Sequence, residues 1–164
     1  MTVYQYCTPE WLEASAKLYQ ATPRFQKAFE KLTLKICFDV KANPEWGIEQ
    51  DIIFGAFVDK GQLTRLGFFS TEDAQKQADY ILGATPQEWK KILRKENKFV
   101  TDFMLGKITL EQGSKVGVLG VAPHSGTFVE ALTQIDLQFP DEMSPDELTQ
   151  YRSHMKAFRA ELGV

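Results

Sequence analysis

The stretch that decides the fold is Leu34-Lys35-Ile36-Cys37-Phe38-Asp39-Val40-Lys41. Leucine, isoleucine, phenylalanine and valine alternate there with lysine, cysteine and aspartate. Successive side chains of a β-strand point to opposite faces, so this two-residue period predicts a strand with one face in the core.

Further strands are predicted on the C-terminal side of this one. Residues 51–58 are apolar on both faces, which predicts a strand covered on both sides. A hairpin turn signal at 59–62 then leads into a partner strand at 63–69. Residues 78–84 and 108–110 are further strand candidates. With helices between them, these strands predict an α+β fold with a mainly antiparallel five-stranded sheet covered by helices.

Four helices have recognisable starts, each a hydroxyl residue followed by proline. They are Thr8-Pro9-Glu10, Thr22-Pro23, Thr85-Pro86-Gln87-Glu88 and Ser144-Pro145-Asp146-Glu147. The last helix carries an apolar stripe at spacings of three and four residues, formed by Leu148, Tyr151, Met155, Phe158 and Leu162. We expect residues 1–135 to form the main domain. Residues 136–164 should form an acidic linker and an amphipathic helix that covers this domain or meets another chain.

Composition limits the classes of function. The chain has 164 residues, of which 43% are hydrophobic and twelve are phenylalanine, which favours one domain with a large apolar interior or cavity. The net charge of −3 argues against nucleic acid as a partner. The first ten residues lack a basic region followed by an apolar one, and Cys7 and Cys37 suggest no disulfide framework. A cytoplasmic location is therefore expected.

Signals for catalysis, metals and cofactors are weak. His124 and His154 are the only histidines and lie thirty residues apart, which is not a metal-ligand spacing. His124 and Ser125 are adjacent but lack a nucleophile-elbow motif, so a turn before a helix is favoured over a catalytic pair. The glycine-rich residues 113–126 match no phosphate-binding motif and suggest turns or close packing. We predict no catalytic residue, no metal and no cofactor.

A basic face is predicted on the helix over residues 89–99. At about 100° per residue, one side carries Lys91, Arg94, Lys95 and Lys98. Such a face either contacts an anionic membrane or is simply solvated.

Two local patterns resemble the sterol carrier protein type 2 family of non-specific lipid-transfer proteins. The first is Ala78-Asp79-Tyr80-Ile81-Leu82-Gly83-Ala84-Thr85-Pro86-Gln87-Glu88-Trp89, similar to that family's segment from strand to capped helix. The second is Phe103-Met104-Leu105-Gly106-Lys107-Ile108-Thr109-Leu110-Glu111-Gln112-Gly113, similar to its link between a helix and the last strand. The order of elements over about residues 25–135 also agrees, whereas the C-terminal helix is additional.

The resemblance implies a hydrophobic tunnel between the sheet and the helices. It would hold a fatty acyl chain, an acyl-CoA, a sterol-like lipid or another long apolar molecule, without bond-making. The residues expected to line it are Trp89, Leu93, Phe99, Phe103, Met104, Val116, Val118, Leu119, Phe128, Val129 and Leu132. The expected partners are a lipid and, transiently, an anionic membrane surface, with the protein a monomer or homodimer. Two alternatives stay open: an enzyme on a hydrophobic substrate with His124 as base, and an interaction module that uses the C-terminal helix.

Overall fold

A five-stranded sheet forms the centre of the computed structural model, which describes residues 2–164. Its strands are β2 (Thr33–Val40), β3 (Ile52–Asp59), β4 (Gln62–Phe69), β5 (Tyr80–Ala84) and β6 (Thr109–Gln112). They lie in the order β4-β3-β2-β5-β6. Strands β2 and β5 run parallel, and the other neighbouring pairs are antiparallel. The predicted α+β fold with a mainly antiparallel sheet is confirmed.

Eight α-helices and a second, two-stranded sheet complete the described part of the chain. The helices are α1 (Pro9–Gln20), α2 (Pro23–Ala28), α3 (Thr71–Gln77), α4 (Pro86–Leu93), α5 (Phe99–Met104), α6 (Lys115–Val121), α7 (Ser125–Thr133) and α8 (Pro145–Leu162). The additional strands are β1 (Val3–Gln5) and β7 (Asp136–Gln138). Short 3-10 turns lie at Pro44–Trp46, Ala122–His124 and Pro140–Glu142.

Local sequence explains where several of these elements begin and turn. The hydroxyls of Thr85 and Ser144 accept hydrogen bonds from backbone N–H groups three residues later, as the predicted caps require. The β3–β4 hairpin turns at Lys60 and Gly61, with φ of 49° and 84°. Both angles lie in the left-handed region, which glycine adopts without strain and which two-residue hairpins require.

The second face of β2 is also buried, contrary to the prediction of a half-buried strand. Cys37 and Asp39 are both buried. Helix α3, which has no counterpart among the predicted elements, packs its Ala74 in a cluster with Cys37 and Phe57. The α3 sequence is almost wholly polar, so it has no apolar periodicity by which it could be predicted.

The segment expected to be an acidic linker is structured instead, and this expectation was wrong. Residues 136–138 form β7, which pairs in parallel with β1 near the N-terminus. Two ion pairs then tie the segment to α4 and its C-cap. Asp141 lies 2.9 Å from Lys90 Nζ, and Glu142 lies 2.8 Å from Arg94 Nη2. Acidic residues that would extend a free linker are neutralised here by basic partners.

Helix α8 packs its apolar stripe into the main core. Tyr151, Met155 and Phe158 are buried, and the Phe158 ring lies 5.2 Å from that of Phe68 between centroids. Leu162, the last residue of the predicted stripe, is 52% exposed. Within residues 2–164, no helix combines the length and apolar character required to cross a bilayer.

We expect Phe158→Ala to lower the free energy of unfolding by about 3–5 kcal/mol, because it removes a buried aromatic ring and leaves a cavity. Leu162→Ala in the same helix is the matched control and should change it by less than about 0.5 kcal/mol. Urea denaturation followed by circular dichroism measures both. Equal effects of the two substitutions would contradict the packing of α8 described here.

Candidate functional site

An apolar cavity of about 60 Å³ lies between one face of the sheet and helices α4, α5 and α7. Its sheet side is a row across three strands, because Phe38 on β2 pairs with Phe54 on β3 and Leu82 on β5. The Trp89 ring stands edge-on to Phe38, with 5.5 Å between centroids. Trp89 is held there by a hydrogen bond from its indole N–H to the carbonyl oxygen of Asp39, at 3.2 Å.

Some of the residues predicted from the sequence meet at this cavity. Those that line it are Trp89, Leu93, Phe99, Phe128, Val129 and Leu132. Phe103 and Val118 are buried but do not line the cavity, although the Phe103 ring stacks on Phe99 at 5.9 Å. The helices α4, α5 and α7 therefore supply the inward side chains that their apolar spacing suggested.

Three predicted residues lie at the surface, with exposed fractions of 55% for Met104, 81% for Val116 and 36% for Leu119. Helix geometry explains why these side chains point away from the cavity. Met104 follows the inward Phe103 by one residue, or about 100° around α5. On α6, Val118 takes the buried position, and Val116 two residues earlier points about 200° away from it.

Several lining residues were not among those predicted. The strand residues Ile36, Phe38, Phe54 and Leu82 form the sheet side, and strand alternation could have identified this face. Ile92 precedes the predicted Leu93, and Ser125 lies one helical turn before the predicted Phe128 and Val129. Val121 ends α6, two residues after Leu119. Tyr6 also lines the cavity, and it lies in a short segment after β1 that has no periodic signal.

A surface groove of about 360 Å³ adjoins the cavity. The two share Ile92, Phe99, Ser125 and Val129 as lining residues. The outer part of the groove is formed by the α4–α5 corner, including Lys95, Asn97, Lys98 and Val100, and by Gly126 of α7. The cavity therefore meets the surface at a seam between this corner and α7, with two lysines on the rim.

The four predicted cations do not share one helix face, and this prediction was wrong. Helix α4 ends at Leu93, Arg94 is its C-cap, and Lys95 adopts a positive φ of 62° that breaks the helix. Arg94 also donates to the carbonyl oxygen of Leu137 at 2.9 Å, in addition to its pairing with Glu142. Lys91, Lys95 and Lys98 are exposed at the corner, and no ion pair involves them within the described residues.

Two buried acids, Glu88 of α4 and Asp102 of α5, face each other beneath this corner. Burial, and then a hydrogen bond with Asp102, raises the pKa of Glu88 to about 7, against the weaker effects of Lys107 and Lys91. The same hydrogen bond, together with one from the Asn97 amide at 2.8 Å, lowers the pKa of Asp102. Oε2 of Glu88 has no donor partner while both acids are charged. A proton on Glu88 supplies that hydrogen bond and joins α4 to α5.

His124 has a packing contact in the structure. Its ring meets Phe29 at 66°, with centroids 5.6 Å apart. Within residues 2–164, no group of three histidine, cysteine, aspartate or glutamate side chains could hold a metal ion.

The fold is similar to that of sterol carrier protein 2. A crystal structure of that protein has a TM-score of 0.67 and 16% identity, and the match covers 78% of this chain and 97% of the other. A conserved hypothetical protein of Thermus thermophilus, suggested to be a sterol carrier protein, has a TM-score of 0.69 and 15% identity. That match covers 80% of this chain and 90% of the other. Sterol carrier protein 2 of Yarrowia lipolytica, in its apo form, has a TM-score of 0.54 and 12% identity. That match covers 76% of this chain and 88% of the other.

No protein-family model and no curated protein sequence matches the chain. At these identities the structural matches establish the fold. The resemblance seen in the two sequence patterns is thus confirmed as a likeness of fold.

The Glu88–Asp102 pair predicts a stability that depends on pH. The pKa of Glu88 is about 7 in the folded protein and near its ordinary 4.5 when unfolded, so the folded state binds this proton more tightly. This contribution to stability is complete below about pH 4.5 and is lost as the pH rises through about 7. Glu88→Gln, whose amide donates to Asp102 and does not titrate, should gain stability relative to wild type between pH 5 and pH 8.

Thermal denaturation over this pH range measures the effect, and Glu96→Gln at the exposed corner is the control. If the difference in melting temperature between wild type and Glu88→Gln did not change with pH, Glu88 would not hold the proton.

Proposed function

We propose that the protein binds long apolar molecules in this cavity and carries them through water without making or breaking bonds. The observation that carries the proposal is an apolar cavity, walled by the Phe54–Phe38–Leu82 row and by α4, α5 and α7, that adjoins a surface groove. The sterol carrier protein 2 fold supports it, since the named neighbours of this fold are sterol carriers. The two cysteines, both unpaired, fit a cytoplasmic carrier.

Ligand entry requires the cavity to widen. A volume of about 60 Å³ holds only a few water-sized spheres, which is too little for a long acyl chain. The seam between Phe99 of α5 and Val129 of α7 is the natural place to open, because both residues line cavity and groove and both are only half-buried. We propose that α7 moves away from α5 and extends the cavity into a tunnel.

The energetics favour moderate affinity and broad selectivity. Each methylene that leaves water contributes about 0.8 kcal/mol, so a long chain gains on the order of 10 kcal/mol before costs. Association and ordering remove much of this gain, which leaves binding in the micromolar range. Burial of methylenes is not directional, so chain length matters more than chemical detail along the chain.

We also propose that the groove meets an anionic membrane during loading. Lys95 and Lys98 lie on its rim, and Lys91 is exposed nearby on α4. A lysine near an anionic bilayer contributes about 1 kcal/mol. Two or three such contacts would orient the groove towards the lipid source without permanent attachment.

Filling the seam should block binding. Val129→Trp places a large ring where cavity and groove meet, and we expect it to weaken displacement of a fluorescent fatty-acid probe by a long-chain fatty acid at least tenfold. Val116→Trp on the exposed side of α6 is the matched control and should bind within twofold of wild type. Circular dichroism checks that both variants fold. Absence of displaceable probe binding by wild type at tens of micromolar protein would refute the proposed function.

The membrane contact predicts faster lipid transfer from anionic than from neutral vesicles, with the preference reduced by salt. Lys95→Glu with Lys98→Glu should abolish the preference and leave affinity for a free neutral ligand unchanged. Lys31→Glu with Lys156→Glu makes the same change in net charge at exposed positions outside the groove and should retain it. Equal transfer rates from both vesicle types with wild type would remove the proposed membrane role.

A further inference from the structure

Helix α5 carries apolar side chains on two sides. Phe99 and Phe103 point inward, and their rings stack with 5.9 Å between centroids. Val100 and Met104, which lie four residues apart and so share a face, point outward, and Leu105 follows them as the C-cap. Val100 is 39% and Leu105 is 65% exposed, and Met104 lies between these values. We call Val100, Met104 and Leu105 the α5 strip.

The C-terminal turn of α5 holds the strip in a fixed position. The N–H of Gly106 donates to the carbonyl oxygen of Phe103 at 3.1 Å, and that of Lys107 donates to Asp102 at 2.9 Å. With Gly106 at a φ of 79°, these two bonds form a Schellman motif. Apart from its chain neighbours, no atom of residues 2–164 lies within 4 Å of where a Cβ on Gly106 would stand. The exposed apolar residues before it are therefore displayed by an ordered turn that faces solvent.

Exposed lysines border the α5 strip at both ends. Lys95 and Lys98 precede it on the rim of the groove, and Lys107 follows it directly. None of the three forms an ion pair with another residue in the range 2–164. A surface helix normally turns polar side chains outward. Apolar side chains bordered by free lysines are instead typical of segments that lie in the interface of an anionic membrane.

The α5 strip begins at the proposed opening for the ligand. Val100 lines the surface groove, and Phe99 beside it lines both the groove and the cavity. A bilayer in contact with the strip would therefore also cover the groove. An apolar molecule could then pass between the bilayer and the cavity without crossing water.

We infer that the α5 strip inserts into the headgroup region of an anionic bilayer when the protein loads. This inference rests on the proposed function and names the element that enters the membrane. The groove lysines supply an attraction that salt weakens. The strip supplies apolar contact, which is insensitive to screening and allows binding to persist at high salt.

A second copy of the chain fits the α5 strip less well than a bilayer does. Three side chains bury far less than the about 1,000 Å² of surface that a stable protein interface needs. Antiparallel pairing of two strips would also place Lys98 of one copy near Lys107 of the other, and like charges across an interface repel.

The first test places an environment-sensitive fluorophore on the strip through Leu105→Cys. Cys7 and Cys37 are buried, so the label reacts at the new position. Its fluorescence should rise at least twofold with vesicles that contain phosphatidylserine, and lipids with a quencher on the acyl chain should suppress the rise. Leu162→Cys on α8, which is 52% exposed, is the matched control and should show neither effect.

The second test removes the apolar contact. Met104→Ser with Leu105→Ser should weaken sedimentation with the same vesicles at least tenfold in about 0.5 M salt, where the lysine attraction is screened. Val3→Ser with Leu162→Ser removes two equally exposed apolar side chains elsewhere and should bind as wild type does. Circular dichroism checks that both variants fold.

The outcomes separate this inference from the proposed function. No rise for the label on Leu105→Cys, or an equal rise on Leu162→Cys, would overturn insertion, while displacement of the fatty-acid probe by wild type would leave the carrier proposal intact. Insertion by a protein that binds no probe would support the strip and refute the carrier. A rise with protein concentration in the absence of vesicles, with a doubled mass by light scattering, would assign the strip to a dimer and overturn the inference.

Discussion

The structure depends on the double pairing of β2, which is antiparallel to β3 on one side and parallel to β5 on the other. A parallel neighbour that follows along the chain requires a crossover connection. The connection here contains the β3–β4 hairpin and helix α3, and α3 covers one face of the sheet. The opposite face carries α4, α5 and α7 around the cavity, and α1 and α8 pack on it through Trp11 and Phe158. One layer of helices therefore has a structural role, and the other encloses the cavity.

The cavity lies where short helices pack over large apolar side chains of the sheet. Phe38, Phe54 and Leu82 form an apolar row on the sheet, and the helices above it are short, six residues in α5 and nine in α7. Phe99 of α5 and Val129 of α7 remain half-buried at the seam. The hydrogen bond between protonated Glu88 and ionised Asp102 holds the α4–α5 corner beside that seam.

The sequence predicted those parts of the fold that leave a local signal. Alternation in β2, the turn at Lys60 and Gly61, and the capped starts of α4 and α8 all depend on neighbouring residues. Helix α3 was missed because its sequence is polar and only its alanine side is buried. Pairing of β1 with β7 was missed because three-residue strands carry too little pattern. For the same reason the cavity could be anticipated only in part: helical spacing indicated Phe99 and Phe128, but not Tyr6.

The anchoring of Tyr6 has a consequence for the order of events during biosynthesis. Its carbonyl is bonded to Tyr151, a residue 145 positions further along the chain, and its N–H to Gln138 in β7. The central sheet ends at Gln112, so all five of its strands leave the ribosome well before these partners do. Contacts of such sequence separation form late and slowly. The Tyr6 backbone therefore gains its partners only after Gln138 and then Tyr151 have been synthesised, and the N-terminal segment docks completely only when α8 has emerged.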